Sequence, residues 1–136
     1  MLNRSFILIN FLLASLLSYS QAMQGPDNVF IGTIKTNGTV LDETNKVIGK
    51  FNSDGTVLGK KFIVIGFVAN DGHIENEAHK TVGTYKSIDG TVYDAENKQI
   101  GLITPDGTVK NQNGEIIGYA KEILGRWAAA YFFFLF

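Results

Sequence analysis

Cysteine is absent from this chain of 136 residues, histidine occurs twice, and cations barely balance the acids, 12 Lys and Arg against 13 Asp and Glu. The missing cysteine removes disulfides as a source of stability, and also the acylated residue that a bacterial lipoprotein needs. The charge balance, with lysines scattered singly, leaves no basic footprint for nucleic acid. No Ser-His-Asp order, phosphate loop or calcium-loop pattern is present either. These absences argue against a polynucleotide partner, a cofactor and a catalytic centre.

Long apolar runs are scarce too. The first, Phe6 to Leu17, is broken only by Asn10 and Ser15 and follows the short basic start Met1-Leu-Asn-Arg4. About a dozen apolar residues are too few to span roughly 30 Å of hydrocarbon as a helix. With Ser20 and Ala22 as small residues near its end, the stretch predicts a signal peptide over 1–22, cleaved after Ala22. Removing Arg4 takes the formal charge from −1 to −2, since residues 1–22 hold no other charged side chain. The expected address is the periplasm, the outer membrane or the outside of the cell.

What the chain has in plenty is repetition. N-G-T-V at Asn37–Val40 returns as D-G-T-V at Asp54–Val57, D-G-H-I at Asp71–Ile74, and D-G-T-V at Asp89–Val92 and Asp106–Val109, in steps of 17, 17, 18 and 17. A second landmark keeps the same time: Ile31-Gly32, Ile48-Gly49, Ile65-Gly66, Val82-Gly83, Ile100-Gly101 and Ile117-Gly118. Seventeen residues are too few for a strand, a helix and two connections, but they suit two short strands and two turns. Asx-Gly favours a turn with positive φ, and the β-branched residues after it favour extended backbone. A second turn opens with Asx at Asp42, Asp94 and Asn111 and carries Asn45, Asn97 or Gly114 three places later.

The fold predicted is therefore all-β: five tandem hairpin repeats of about 17 residues, with 23–124 as the β domain and 125–136 as an aromatic tail. Three apolar slots form the layers of its core. The first holds Val40, Val57, Ile74, Val92 and Val109, and the second Ile48, Ile65, Val82, Ile100 and Ile117. The third holds Phe51, Val68, Tyr85, Ile103 and Ala120, with Ile34 leading. The Gly between the second and third slots predicts a bulge, or a backbone packed closely on a neighbour. An extra leading strand, Val29–Thr36, is expected to lie beside the last repeat and close the array. The second repeat departs from the pattern, because Gly59-Lys60-Lys61-Phe62-Ile63 replaces its Asx turn. The apolar run Phe62–Val68 predicts either a longer buried strand or an edge.

Five exact or near copies of D-G-T-V…K-x-I-G, the expected signal peptide, and the ending Gly118-Tyr-Ala-Lys121…Arg126-Trp-Ala-Ala-Ala-Tyr-Phe-Phe-Phe resemble the 5-fold β-flower proteins of Bacteroidetes-type bacteria. The resemblance covers essentially the whole mature chain. It implies five hairpins around a pseudo-five-fold axis, and it implies no activity.

Few residues are candidates for chemistry. His73 and His79 occupy a Thr slot and an Asn slot of their repeats, where their siblings are structural. Asp54, Asp71, Asp89 and Asp106, with Asn37, would ring one rim that offers oxygens to a cation or a sugar; each is more simply the residue that closes its own turn. No catalytic, cofactor or metal residue is assigned. The tail is less ordinary: from Trp127 to Phe136 every residue is apolar or Tyr. In water it would form a patch that drives association, so the core, a membrane or a partner must bury it. Two function classes follow, a non-catalytic envelope protein with a structural or binding role, and a small-ligand or glycan module using the turn rim or an axial pocket.

Overall fold

The computed structural model describes residues 21–136. The expected signal peptide thus falls almost wholly outside the described residues. Ala22 and Met23, which flank its expected cleavage bond, both lie in the first strand.

Among the described residues, twelve antiparallel strands close into a barrel. They are β1 (Ala22–Gln24), β2 (Phe30–Ile34), β3 (Thr39–Asp42), β4 (Val47–Phe51), β5 (Thr56–Leu58), β6 (Val64–Val68), β7 (His73–Asn76), β8 (Thr81–Lys86), β9 (Thr91–Asp94), β10 (Gln99–Ile103), β11 (Thr108–Asn111) and β12 (Ile116–Ala120). The five predicted repeats are the hairpins β3–β4, β5–β6, β7–β8, β9–β10 and β11–β12. Each strand pairs with its sequence neighbours, so connections stay short and no strand edge is left open.

Closure occurs one strand earlier than the repeat pattern suggests. The leading strand β2 does not meet the last repeat; β1 stands between them, pairing Met23 with Ala120 of β12 and with Gly32 of β2. Residues 22–34 therefore add a further hairpin ahead of the five. Its first strand lacks the Asx-Gly and β-branched signals of the others. Only Met23, fully buried in the Val slot, betrays it.

The alternation of burial follows the predicted slots. Val40, Val57, Ile74, Val92 and Val109 are buried, as are Ile34, Phe51, Val68, Ile103 and Ala120. The Ile slot differs. Ile48, Ile65, Val82, Ile100 and Ile117 are only partly buried against the core, each beside a register shift such as that between Val40 and Leu41. The predicted bulge is thus present. It brings the following glycine so close to the next strand that a Cβ at Gly49 would lie 2.5 Å from the Leu58 carbonyl oxygen.

Two kinds of turn mark the two ends. At one, Gly38 takes φ 92° and Asn37 Oδ1 accepts from the Thr39 N–H at 3.0 Å. At the other, Asp42 Oδ1 accepts from the N–H groups of Thr44 and Lys46 at 2.8 and 3.0 Å, while Asn45 takes φ 65°. Asn76, Asp94 and Asn111 repeat this second arrangement. The run Phe62–Val68 gives neither a longer strand nor an edge: β6 has the five residues of its siblings, and Phe62 and Ile63 protrude from the preceding turn.

Candidate functional site

After β12 the chain crosses the Asx-Gly mouth and turns inward as a short helix, α1 (Gly125–Ala130), continued by a π-helical turn at Tyr131–Leu135. Small residues make the entry possible. Ala128, Ala129 and Ala130 have no exposed surface, and Gly125 lies against the Tyr85 hydroxyl with no room for a side chain. Trp127 stacks on Phe51 with ring centroids 5.3 Å apart.

The last five residues meet the barrel one hairpin at a time. A Cβ on Gly118 would overlap Phe132, one on Gly101 Phe133, one on Gly83 Phe134, one on Gly66 Leu135 and one on Gly49 Phe136. Consecutive tail residues thus stand on consecutive glycines in reverse chain order, one per repeat. An α-helix, turning about 100° per residue, would step past the hairpins too fast. The wider i→i+5 turn advances more slowly around its axis and matches a many-sided ring better. Tyr131 and Phe136, five apart, stack at 5.4 Å. Burial, with Glu43 and Asp42 nearby, raises the Tyr131 phenol above its ordinary pKa. Of the three burials open to the tail, this is the protein's own core, and the tail fills the axial space that a ligand pocket would need.

The acids of the rim are turn residues. Asp54 accepts from the Thr56 N–H at 2.9 Å, Asp71 from the His73 N–H at 3.1 Å, and Asp89 from the Thr91 hydroxyl at 2.6 Å and N–H at 3.1 Å. Asp106 accepts from the hydroxyls of Thr104 and Thr108. These bonds favour the ionised form. They hold Asp54 (through Thr56), Asp89 (through Thr91) and Asp106 (through Thr104 and Thr108) below the ordinary carboxylate value of 3.8. Among the described residues no group of three His, Asp or Glu side chains is arranged to hold a metal.

The histidines, unrelated in the repeat pattern, do meet. His79 Nδ1 lies 3.1 Å from Glu75 Oε1, and His73 Nε2 lies 3.6 Å from Glu75 Oε2 and 3.0 Å from Thr81 Oγ1. His79 also stacks on Phe67 at 4.0 Å. Hairpin register signals this cluster: Phe67 pairs with Glu75 and His73 with Thr84, placing all of them on the outer face of β6–β8. It is exposed, and the Thr81 hydroxyl and the Glu75 carboxylate lie against the same His73 nitrogen, Nε2, so the carboxylate does not orient the imidazole from its far side as a base for the hydroxyl.

Two clefts, of about 540 and 520 Å³, flank the segment 122–125 where it crosses the mouth. Tyr85, Ser87, Asp89, Thr104 and Glu122 line the second. The repeat with the 18-residue step borders it, for the extra residue widens its turn so that the Gly90 N–H reaches back to the Lys86 carbonyl and Ile88 stands free. Burial first, and then Asp89, raises the Tyr85 phenol above its ordinary pKa. Tyr85 and Tyr93, rings on which a sugar could stack, do not converge: Tyr85 packs against the core, while Tyr93 lies outside under Lys86 Nζ at 4.6 Å.

The fold and its interior thus define an all-β repeat protein, a closed barrel of hairpins plugged by its own C-terminus. The family model for the 5-fold beta-flower protein matches residues 20–136, and the chain belongs to that family. No curated protein and no solved structure matches it.

Proposed function

We propose that this is an exported, non-catalytic module of the bacterial cell envelope, with a binding or structural role exercised through the outside of its barrel. The observation that carries the reading is the seating of Phe132–Phe136 on five glycines, which gives the interior to the protein itself. The absence of buried polar or charged side chains among the described residues also supports it, since a reacting group usually needs a shielded environment. The signal-peptide pattern expected over 1–22 is what supports export. Of Trp127–Phe136, what stays available to a membrane or protein partner is the end around Phe136, 41% exposed. Cell fractionation with N-terminal sequencing tests the address. Full-length chain recovered in the cytosol would sink it.

A second reading, a small-ligand or glycan module, draws on the 520 Å³ cleft with its hydroxyls and carboxylates. A glycan array and a thermal-shift screen test it; Thr104→Val and Ser87→Ala should weaken any hit. Binding indifferent to both substitutions would place the ligand elsewhere.

A further inference from the structure

We propose that the turn Gly59–Val64 is a docking tip for an anionic lipid surface. The idea rests on, and deepens, the reading that the module acts through its outer face. Four sibling turns at this end of the barrel are closed by an Asx side chain; here Gly59 stands in the Asx position and no side chain caps the turn. Its place is taken by unusual backbone. Lys61 (φ 63°) and Phe62 (φ 58°) both lie in the left-handed region. The slot of Phe62 is held elsewhere by Asn28, Asn45, His79, Asn97 and Gly114, also at positive φ. Asn, His and Gly tolerate that conformation, whereas a bulky aromatic there is an outlier whose strain asks for a reason.

The consequence of this backbone is display. Phe62 is 67% exposed and Ile63 62% exposed; the next residue, Val64 of β6, is exposed too, and β4, which carries the exposed Val47, packs beside this turn. Lys60 and Lys61 share the turn, and among the described residues neither comes within salt-bridge distance of a carboxylate.

The chemistry of the tip selects its occupant. The closed barrel has no free strand edge, so a peptide cannot add as a strand. A convex tip with an aromatic and an aliphatic side chain suits the headgroup–acyl boundary, and unpaired cations suit the phosphates above it. Lysine, a compact point charge on a flexible stem, serves a diffuse anionic surface better than it serves a fixed carboxylate.

Co-sedimentation of the purified protein with phosphatidylglycerol and with phosphatidylcholine vesicles tests the assignment. Binding is expected to phosphatidylglycerol, to weaken with salt, and to fall at least about tenfold in Lys60→Gln/Lys61→Gln. Phe62→Ser/Ile63→Ser should lose it as well. Lys61→Gly/Phe62→Gly guards against misfolding: glycine fits the left-handed backbone, so this variant should melt higher than the parent while binding vesicles more weakly. No binding to phosphatidylglycerol, equal binding to both lipids, or full binding by the double-glycine variant would overturn the assignment. Capture of an acidic protein without vesicle binding would do the same. The assay uses purified protein, so its result is independent of the fractionation that tests export.

Discussion

Phe134 stands on Gly83, so close that the glycine cannot gain a methyl group without displacing the ring. The same relation links Phe133 to Gly101 and Phe132 to Gly118. Overpacking of this kind costs about 1–3 kcal/mol. Gly83→Ala should lower stability by that amount in a urea titration, and Phe134→Ala should recover part of the loss. A double-mutant cycle showing no coupling between the two would mean that ring and glycine do not touch.

The plug supports the barrel as much as the barrel holds the plug. Truncating a buried Phe costs about 3–5 kcal/mol, and less where the ring is half-buried as here. Phe133→Ala is expected to cost about 2 kcal/mol. Deletion of Trp127–Phe136 removes the partners of five hairpins at once, along with the ring stacked on Phe51, and should abolish cooperative unfolding by circular dichroism. A truncated chain that melts like the parent would refute the structural role of the tail.

Acid should weaken the Asx-Gly turns. Asp54, Asp89 and Asp106 have folded pKa values lowered by the hydroxyls and N–H groups they bind. The unfolded chain therefore takes up protons first. Their contribution is whole above the ordinary carboxylate value of 3.8 and is lost as pH falls through the lower folded values. Asp89→Asn keeps an acceptor, as Asn37 does in the first repeat, but no longer titrates. Its melting temperature should fall less steeply between pH 5 and pH 2, a window set roughly by the ordinary carboxylate range.

At the other end of the barrel, Asn97 sits at φ 63° with its N–H bonded to the Asp94 carbonyl at 3.1 Å. Asn97→Gly should be neutral or stabilising. Asn97→Val, β-branched in the left-handed region, should cost about 1–2 kcal/mol. Equal melting temperatures for the two variants would show that the turn relaxes out of this conformation.

Much of this was legible in the chain. Asx-Gly pairs, β-branched residues in steps of 17 and the leading Ile31-Gly32 place eleven of the twelve described strands, because turn chemistry and alternation are local properties written in every copy. Burial of the Val slot and the turn roles of Asp54, Asp71, Asp89 and Asp106 follow from the same pattern. β1 escaped, for three residues with one methionine carry no local signal. So did the meeting of His73 and His79 at Glu75, which depends on the register between neighbouring strands.

The repeated glycine shows most clearly where the sequence stops. Its spacing announces a close approach, and the aromatic tail announces a need for burial, yet no local rule joins the two. Chain order and backbone chemistry alone determined the hairpins, their number in the repeat array and the two kinds of turn. Only closure of the sheet decided that Phe132–Phe136 would wind through the interior, one side chain to each glycine. That match compares the step of a helical turn with the spacing of hairpins around a ring, and the ring exists only once distant strands β1 and β12 have paired.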